Sequence, residues 1–137
     1  MIVGFEDAFS NAQADYISLC LELSQGNADM VYGFIYQIPG MKTFDAFFRK
    51  DGEIKTVEDI ASDDLIDRFY EVGYNDVKKL CDVCTRYEHK CPNQIKMVYH
   101  VKTGHFDANY IYMNETEIEE TNPDNIFDNW MDEEKTK

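Results

Sequence analysis

An α+β fold built on one antiparallel sheet is what this sequence predicts. Two long stretches repeat apolar residues at spacings of three and four, the signature of amphipathic helices. Several short stretches carry strand composition and are bounded by turn residues. Strand pairs are joined by short turns, not by crossover helices, so their pairing is antiparallel.

Taken in order, residues 6–25 form the first helix. Phe9, Ala12, Tyr16, Leu19, Cys20 and Leu23 share one face, and Gly26 follows where a helix commonly ends in a left-handed residue. Met30 to Ile38 is aromatic and β-rich, and Pro39-Gly40 breaks it. Thr43 to Arg49 is a second strand. Asp51-Gly52 is a hairpin turn in which both residues can take positive φ, and Glu53 to Val57 returns as a third strand. Together these make a three-stranded meander. Residues 63–88 form a long central helix, capped by Asp63 or Asp64, with an apolar stripe from Leu65 through Phe69, Val77 and Leu80 to Cys84 and Tyr87. Pro92 and Asn93 end it.

The C-terminal hairpin follows from alternation. Ile95, Met97, Tyr99 and Val101 alternate on one strand, and Phe106, Ala108, Tyr110 and Tyr112 on the other. A two-residue Thr103-Gly104 loop pairs Val101 with Phe106, Tyr99 with Ala108 and Met97 with Tyr110, placing these side chains on one buried face. It also sets His100 opposite Asp107. Residues 114–137 form an acidic C-terminal segment of the same single domain, with a short helix led by Asn122-Pro123-Asp124. The packing that follows is the meander plus hairpin with the N-terminal and central helices against one face.

The 137 residues fit one domain, and 44% hydrophobic with 14% aromatic side chains suffices for a packed interior. The formal net charge is −14, from 27 acidic and 13 basic residues. That surface repels nucleic-acid phosphates and anionic lipid and favours a basic protein. Met1-Ile2-Val3-Gly4-Phe5-Glu6-Asp7 has no basic, apolar leader pattern, and no run approaches the roughly 20 apolar residues of a membrane span. The expected location is cytoplasmic, where four cysteines are expected to stay reduced.

Three constellations could carry chemistry. Cys81, Cys84, His89 and Cys91 have the residue types of a zinc site. Two of them, however, lie on the apolar stripe of a continuous helix, and His89 and Cys91 are separated by one residue, so buried thiols are the expectation. His100 with Asp107 could orient a general base, against the plainer reading of a cross-strand charge pair. Asn122, Asp124 and Asp128 lack the rhythm and turn glycine of a calcium loop. No nucleophile elbow and no phosphate loop occurs. Neither metal, cofactor nor small-molecule ligand is expected.

The tail carries the expected partner-binding residues. Glu115, Glu117, Glu119 and Glu120 form an acid run, continued by Asp124 and Asp128 around Trp130. An aromatic anchor set among charges suits an interface, and it suits docking onto the protein's own core equally well.

The whole pattern resembles the YezG-type immunity proteins of bacterial polymorphic toxin systems. The resemblance rests on element order and on three segments. These are Tyr32-Gly33-Phe34-Ile35-Tyr36, Asp64-Leu65-Ile66-Asp67-Arg68-Phe69-Tyr70, and the hairpin Lys102-Thr103-Gly104-His105-Phe106-Asp107-Ala108-Asn109-Tyr110-Ile111-Tyr112. A proline-led C-terminal segment with an aromatic, here Pro123 and Trp130, also fits. The chain departs from the family at Cys91-Pro92-Asn93, where a Pro-Trp is common, and at its acidic ending. The resemblance implies a non-enzymatic cytoplasmic antitoxin that binds and neutralises a cognate toxin, often a nuclease, without catalytic residues. The alternatives are a small zinc-binding or enzymatic domain and a non-immunity adaptor of the same fold.

Overall fold

The computed structural model describes residues 4–137. Met1-Ile2-Val3, the start of the stretch judged for a leader, lies outside the described residues. The elements run α1 (Phe5–Ser24), β1 (Met30–Ile38), β2 (Met41–Lys50), β3 (Glu53–Thr56), α2 (Val57–Ile60), α3 (Asp63–Arg86), β4 (Gln94–His100), β5 (Phe106–Ile111), α4 (Glu115–Glu120) and α5 (Pro123–Lys135). The five strands form one antiparallel sheet in the order β3-β2-β1-β4-β5. The meander and the C-terminal hairpin are therefore joined through β1, the central strand.

The turns behave as their residues require. Asp51 and Gly52 have φ of 52° and 81°, both in the left-handed region of a tight hairpin turn. Ser62, not Asp63 or Asp64, caps α3, its hydroxyl accepting from the Leu65 N–H. Two short helices were not expected. Thr56 with Asp59 starts α2, and Asn114 with Glu117 starts α4, each through a reciprocal capping box.

One face of the sheet packs on α1 and α3. Val31, Ile35, Phe44, Phe48, Ile95 and Met97 meet Tyr16, Leu19, Leu23, Phe69, Val77 and Leu80 there. Gly73 lets α3 lie directly over β2, because a Cβ at that position would run into the Phe44 ring.

The opposite face is also covered, which corrects the expectation of helices on one face only. Tyr32, Phe34, Tyr36 and Phe47 form a second core with Met113 and Trp130, joined by Ile118, Ile126 and Phe127. The physical reason lies in β1, whose two alternating sets of side chains are both apolar. A strand of that kind is stable only between two layers. The C-terminal segment supplies the second layer. Arg49 fastens it, donating from Nη2 to the Glu134 carbonyl at 2.7 Å and from Nε to the Tyr32 hydroxyl at 3.2 Å. Its guanidinium therefore lies at the C-terminal end of α5, where a cation is favoured.

Candidate functional site: an aromatic groove at the open sheet edge

Strand β5 ends the sheet. The ladder to β4 pairs Tyr99 with Phe106, Met97 with Ala108 and Ile95 with Tyr110. The expected register is thus corrected by two residues. The turn spans Val101 to Gly104, not Thr103-Gly104 alone, and closes with the Gly104 N–H donating to the His100 carbonyl at 2.8 Å and the His100 N–H to the His105 carbonyl at 2.8 Å. Gly104 has the expected positive φ, 75°. A slip of two residues keeps the strand side chains on their expected face, so Tyr99, Phe106 and Tyr110 do share one face, whereas Val101, expected beside them, lies in the turn and is exposed.

That face is not buried there. Phe106 is 38%, Tyr110 39% and Tyr112 44% exposed. These rings, with residues from Phe5 to Leu21 along α1, line a groove that runs beside the helix, between α1 and β5. The groove has two basins, of about 350 Å³ beside Ile17, Leu21, Tyr99 and Phe106 and of about 390 Å³ beside Phe5, Phe9, Tyr110 and Tyr112. Between them the Tyr110 hydroxyl donates to Gln13 Oε1 at 2.8 Å, and Phe9 meets the Tyr110 ring edge-on at 5.8 Å.

The backbone at this edge is equally available. The His100–His105 bond and the Val101 N–H donating to the Asp29 carbonyl fix the alternation of the ladder. His105, Asp107, Asn109 and Ile111 therefore turn their peptide groups toward β4. Phe106, Ala108 and Tyr110 turn theirs to the open edge. Of these three, Phe106 and Tyr110 line the groove, and Ala108 packs against the core between them.

The sequence-expected site residues fall elsewhere. Glu115, Glu117, Glu119 and Glu120 are exposed on α4, and Glu117 is engaged in its capping box. Asp124 and Asp128 are exposed on α5. Trp130 is only 6% exposed. Its ring stands edge-on to Phe47 at 4.9 Å and to Tyr32 at 5.8 Å, with Lys96 Nζ 5.8 Å over it. The Trp130 ring is thus consumed by the protein's own core, and core docking is the reading of the two that holds for it.

His100 does not face Asp107, a correction that follows from the longer turn. Asp107 Oδ2 instead lies 2.9 Å from Nε2 of His105, and both side chains are solvent-exposed. Of the zinc-type residues, Cys81, Cys84 and Cys91 meet, with Cys91 and Cys81 sulfurs 3.9 Å apart. His89 does not join them. Its ring stacks on Phe5 at 4.0 Å, and Nδ1 lies 2.8 Å from the Lys90 carbonyl. Among the described residues no group of three or more His, Cys, Asp or Glu is arranged to hold a metal ion. No helix among them is long and apolar enough to cross a membrane.

The β-strand residues of the groove, Tyr99, Phe106, Tyr110 and Tyr112, were visible in the sequence as the apolar side of an alternating hairpin. Their exposure was not, because it depends on how α1 lies across the sheet relative to β5. No protein-family model matches the chain, and no curated protein matches it.

Proposed function

We propose that this protein acts by binding another protein, a basic one, and that the groove between α1 and β5 is the docking surface. The single observation behind this is the coincidence at β5 of exposed aromatic side chains with unpaired peptide groups. An extended segment of a partner can pair with the outward N–H and C=O groups of Phe106, Ala108 and Tyr110 and place alternate side chains in the two basins. The net charge of −14 makes that partner basic and gives it a long-range attraction toward this surface. The biological role that fits both the charge and the resemblance to immunity proteins is neutralisation of a cognate toxin, with no catalysis by this chain. A nuclease toxin, which holds phosphates in a basic groove, meets the electrostatic requirement.

Co-expression tests the reading. The protein should protect bacterial cells from the toxin domain encoded beside its gene and form an equimolar complex with it. Phe106→Ala and Tyr110→Ala should each weaken the complex about tenfold or more, as truncation of interface aromatics does. Phe106→Ala should keep a melting temperature near the parent value, because that ring is 38% exposed, whereas Tyr110→Ala also loses the bond to the buried Gln13, so its affinity is compared on folded protein. Absence of protection and of binding would contradict the proposal.

A further inference from the structure

The end of α3 and the chain leading into β4 bring three thiols together. Cys81 and Cys84 are one helical turn apart, and both are buried. Beyond α3 the chain doubles back. Gln37, on the central strand, holds this return, its Nε2 donating to the Cys91 carbonyl at 3.2 Å and to the Pro92 carbonyl at 3.0 Å. Cys91, partly exposed, is thereby fixed against the last turns of α3, its thiol donating to the Cys81 sulfur across 3.9 Å.

We propose that Cys81 and Cys91 form an oxidisable dithiol, which hydrogen peroxide converts to a disulfide clamping the end of α3 to the segment before β4. A disulfide requires sulfurs about 2 Å apart, so the pair must close by roughly 2 Å. Cys91 sits in irregular backbone, where side-chain rotation and a small loop shift can supply this. Buried thiols away from any partner are inert, whereas here the buried Cys81 is in contact with a partly exposed thiol, Cys91.

The contact also sorts the roles. The hydrogen bond from Cys91 favours the thiolate of Cys81 over the opposing effect of burial, with Lys42 assisting and Asp82 opposing. It favours that of Cys84 likewise, and keeps the proton on Cys91, whose sulfur contacts Cys81 at 3.9 Å. Cys81 is therefore the first nucleophile. Its thiolate attacks one peroxide oxygen, the O–O bond breaks, and hydroxide leaves with the Cys81 proton as water. Cys81 is now a sulfenic acid and uncharged, so it no longer opposes ionisation of Cys91. The Cys91 thiolate attacks the Cys81 sulfur, the S–O bond breaks, and the departing hydroxide takes the Cys91 proton as a second water. Both thiols are oxidised, and one peroxide is reduced to two waters. This inference does not depend on the partner-binding reading.

Peroxide treatment of the folded full-length protein tests it, followed by thiol titration and peptide mapping without reduction. Accessible thiols in the unfolded, quenched sample should fall from four to two per chain. One cross-linked peptide should join Cys81 to Cys91, and dithiothreitol should restore all four thiols. The oxidised protein should melt roughly 5 °C or more above the reduced one, since the bridge constrains the unfolded chain. Cys84→Ser should keep the cross-link, and Cys91→Ser, at a partly exposed loop position, should abolish it while keeping the reduced melting temperature. A titre that stays at four, a bridge that joins Cys84 to Cys91, or oxidation of single cysteines without a cross-link would overturn the proposal.

Discussion

Asp45 on β2 shows how one residue can satisfy a strand-edge amide at a cost. Strand β3 pairs only with Phe47 to Lys50 of β2, so the Ala46 N–H has no strand partner. Asp45 Oδ1 accepts that N–H at 2.8 Å, and the Tyr70 hydroxyl reaches over the edge to the same oxygen at 3.2 Å. Burial pushes the Asp45 carboxyl up to about 6, against the pull of those two donors, with Glu58 and Asp124 adding repulsion. The folded protein therefore holds this proton up to about pH 6, whereas an ordinary aspartate releases it near 3.8. Between those values the folded state binds more protons, so this group's contribution to stability falls as pH rises through the window. At neutral pH the ionised form costs about 2–3 kcal/mol. Asp45→Asn keeps the Oδ1 acceptor and removes the charge. It is expected to be more stable than the parent by roughly 1–2 kcal/mol near pH 7.5 in urea melts, with the advantage gone below about pH 4. An unchanged difference across that range would rule out Asp45 as its source.

Among the elements, α5 decides how much of the fold could be read in advance. Residues 30–38 carry two apolar sets, Val31 and Ile35 on one side and Tyr32, Phe34 and Tyr36 on the other, which is the pattern of a strand buried on both faces. The helices, the meander and the face assignment of the last hairpin followed from periodicity and turn residues. The second helical layer was only half read, as a short helix from Pro123 that suited core docking and an interface equally, because the tail is dominated by charge. Its apolar residues Ile118, Ile126, Phe127, Trp130 and Met131 are spread over two short helices, and no long stripe marks them. The hairpin register was missed because Thr103-Gly104 resembles a two-residue turn, while the loop closes through four residues. The exposure of the groove could not be read, since it is set by how α1 lies across the sheet beside β5. If α5 is a structural layer, Trp130→Ala should cost about 3–5 kcal/mol in denaturant unfolding, the range for an emptied aromatic core position. Partner affinity of the protein that remains folded should be nearly unaffected. A variant of parental stability with lost affinity would put the ring at the interface instead.

Under the proposed function, charge and groove divide the work of recognition at the scale of the whole molecule. The acids of α4 and α5 are exposed around the layer that covers the opposite face from the groove. Charges at that remove act over distance, on the rate of encounter more than on the lifetime of the complex. Reversing Glu115, Glu117, Glu119 and Glu120 to Lys should slow association and flatten its salt dependence, leaving the dissociation rate close to the parent value in surface-binding kinetics. Screening sets the scale, since the Debye length is about 8 Å at physiological ionic strength. The central claim is that a basic partner adds an extended segment to β5. Amide hydrogen exchange of the protein, alone and saturated with the toxin domain encoded beside it, tests this most directly. The amides of Phe106, Ala108 and Tyr110, which face the open edge, should become protected in the complex, together with α1 residues along the groove. Protection confined to α4 and α5, with the β5 amides exchanging as in the free protein, would contradict it.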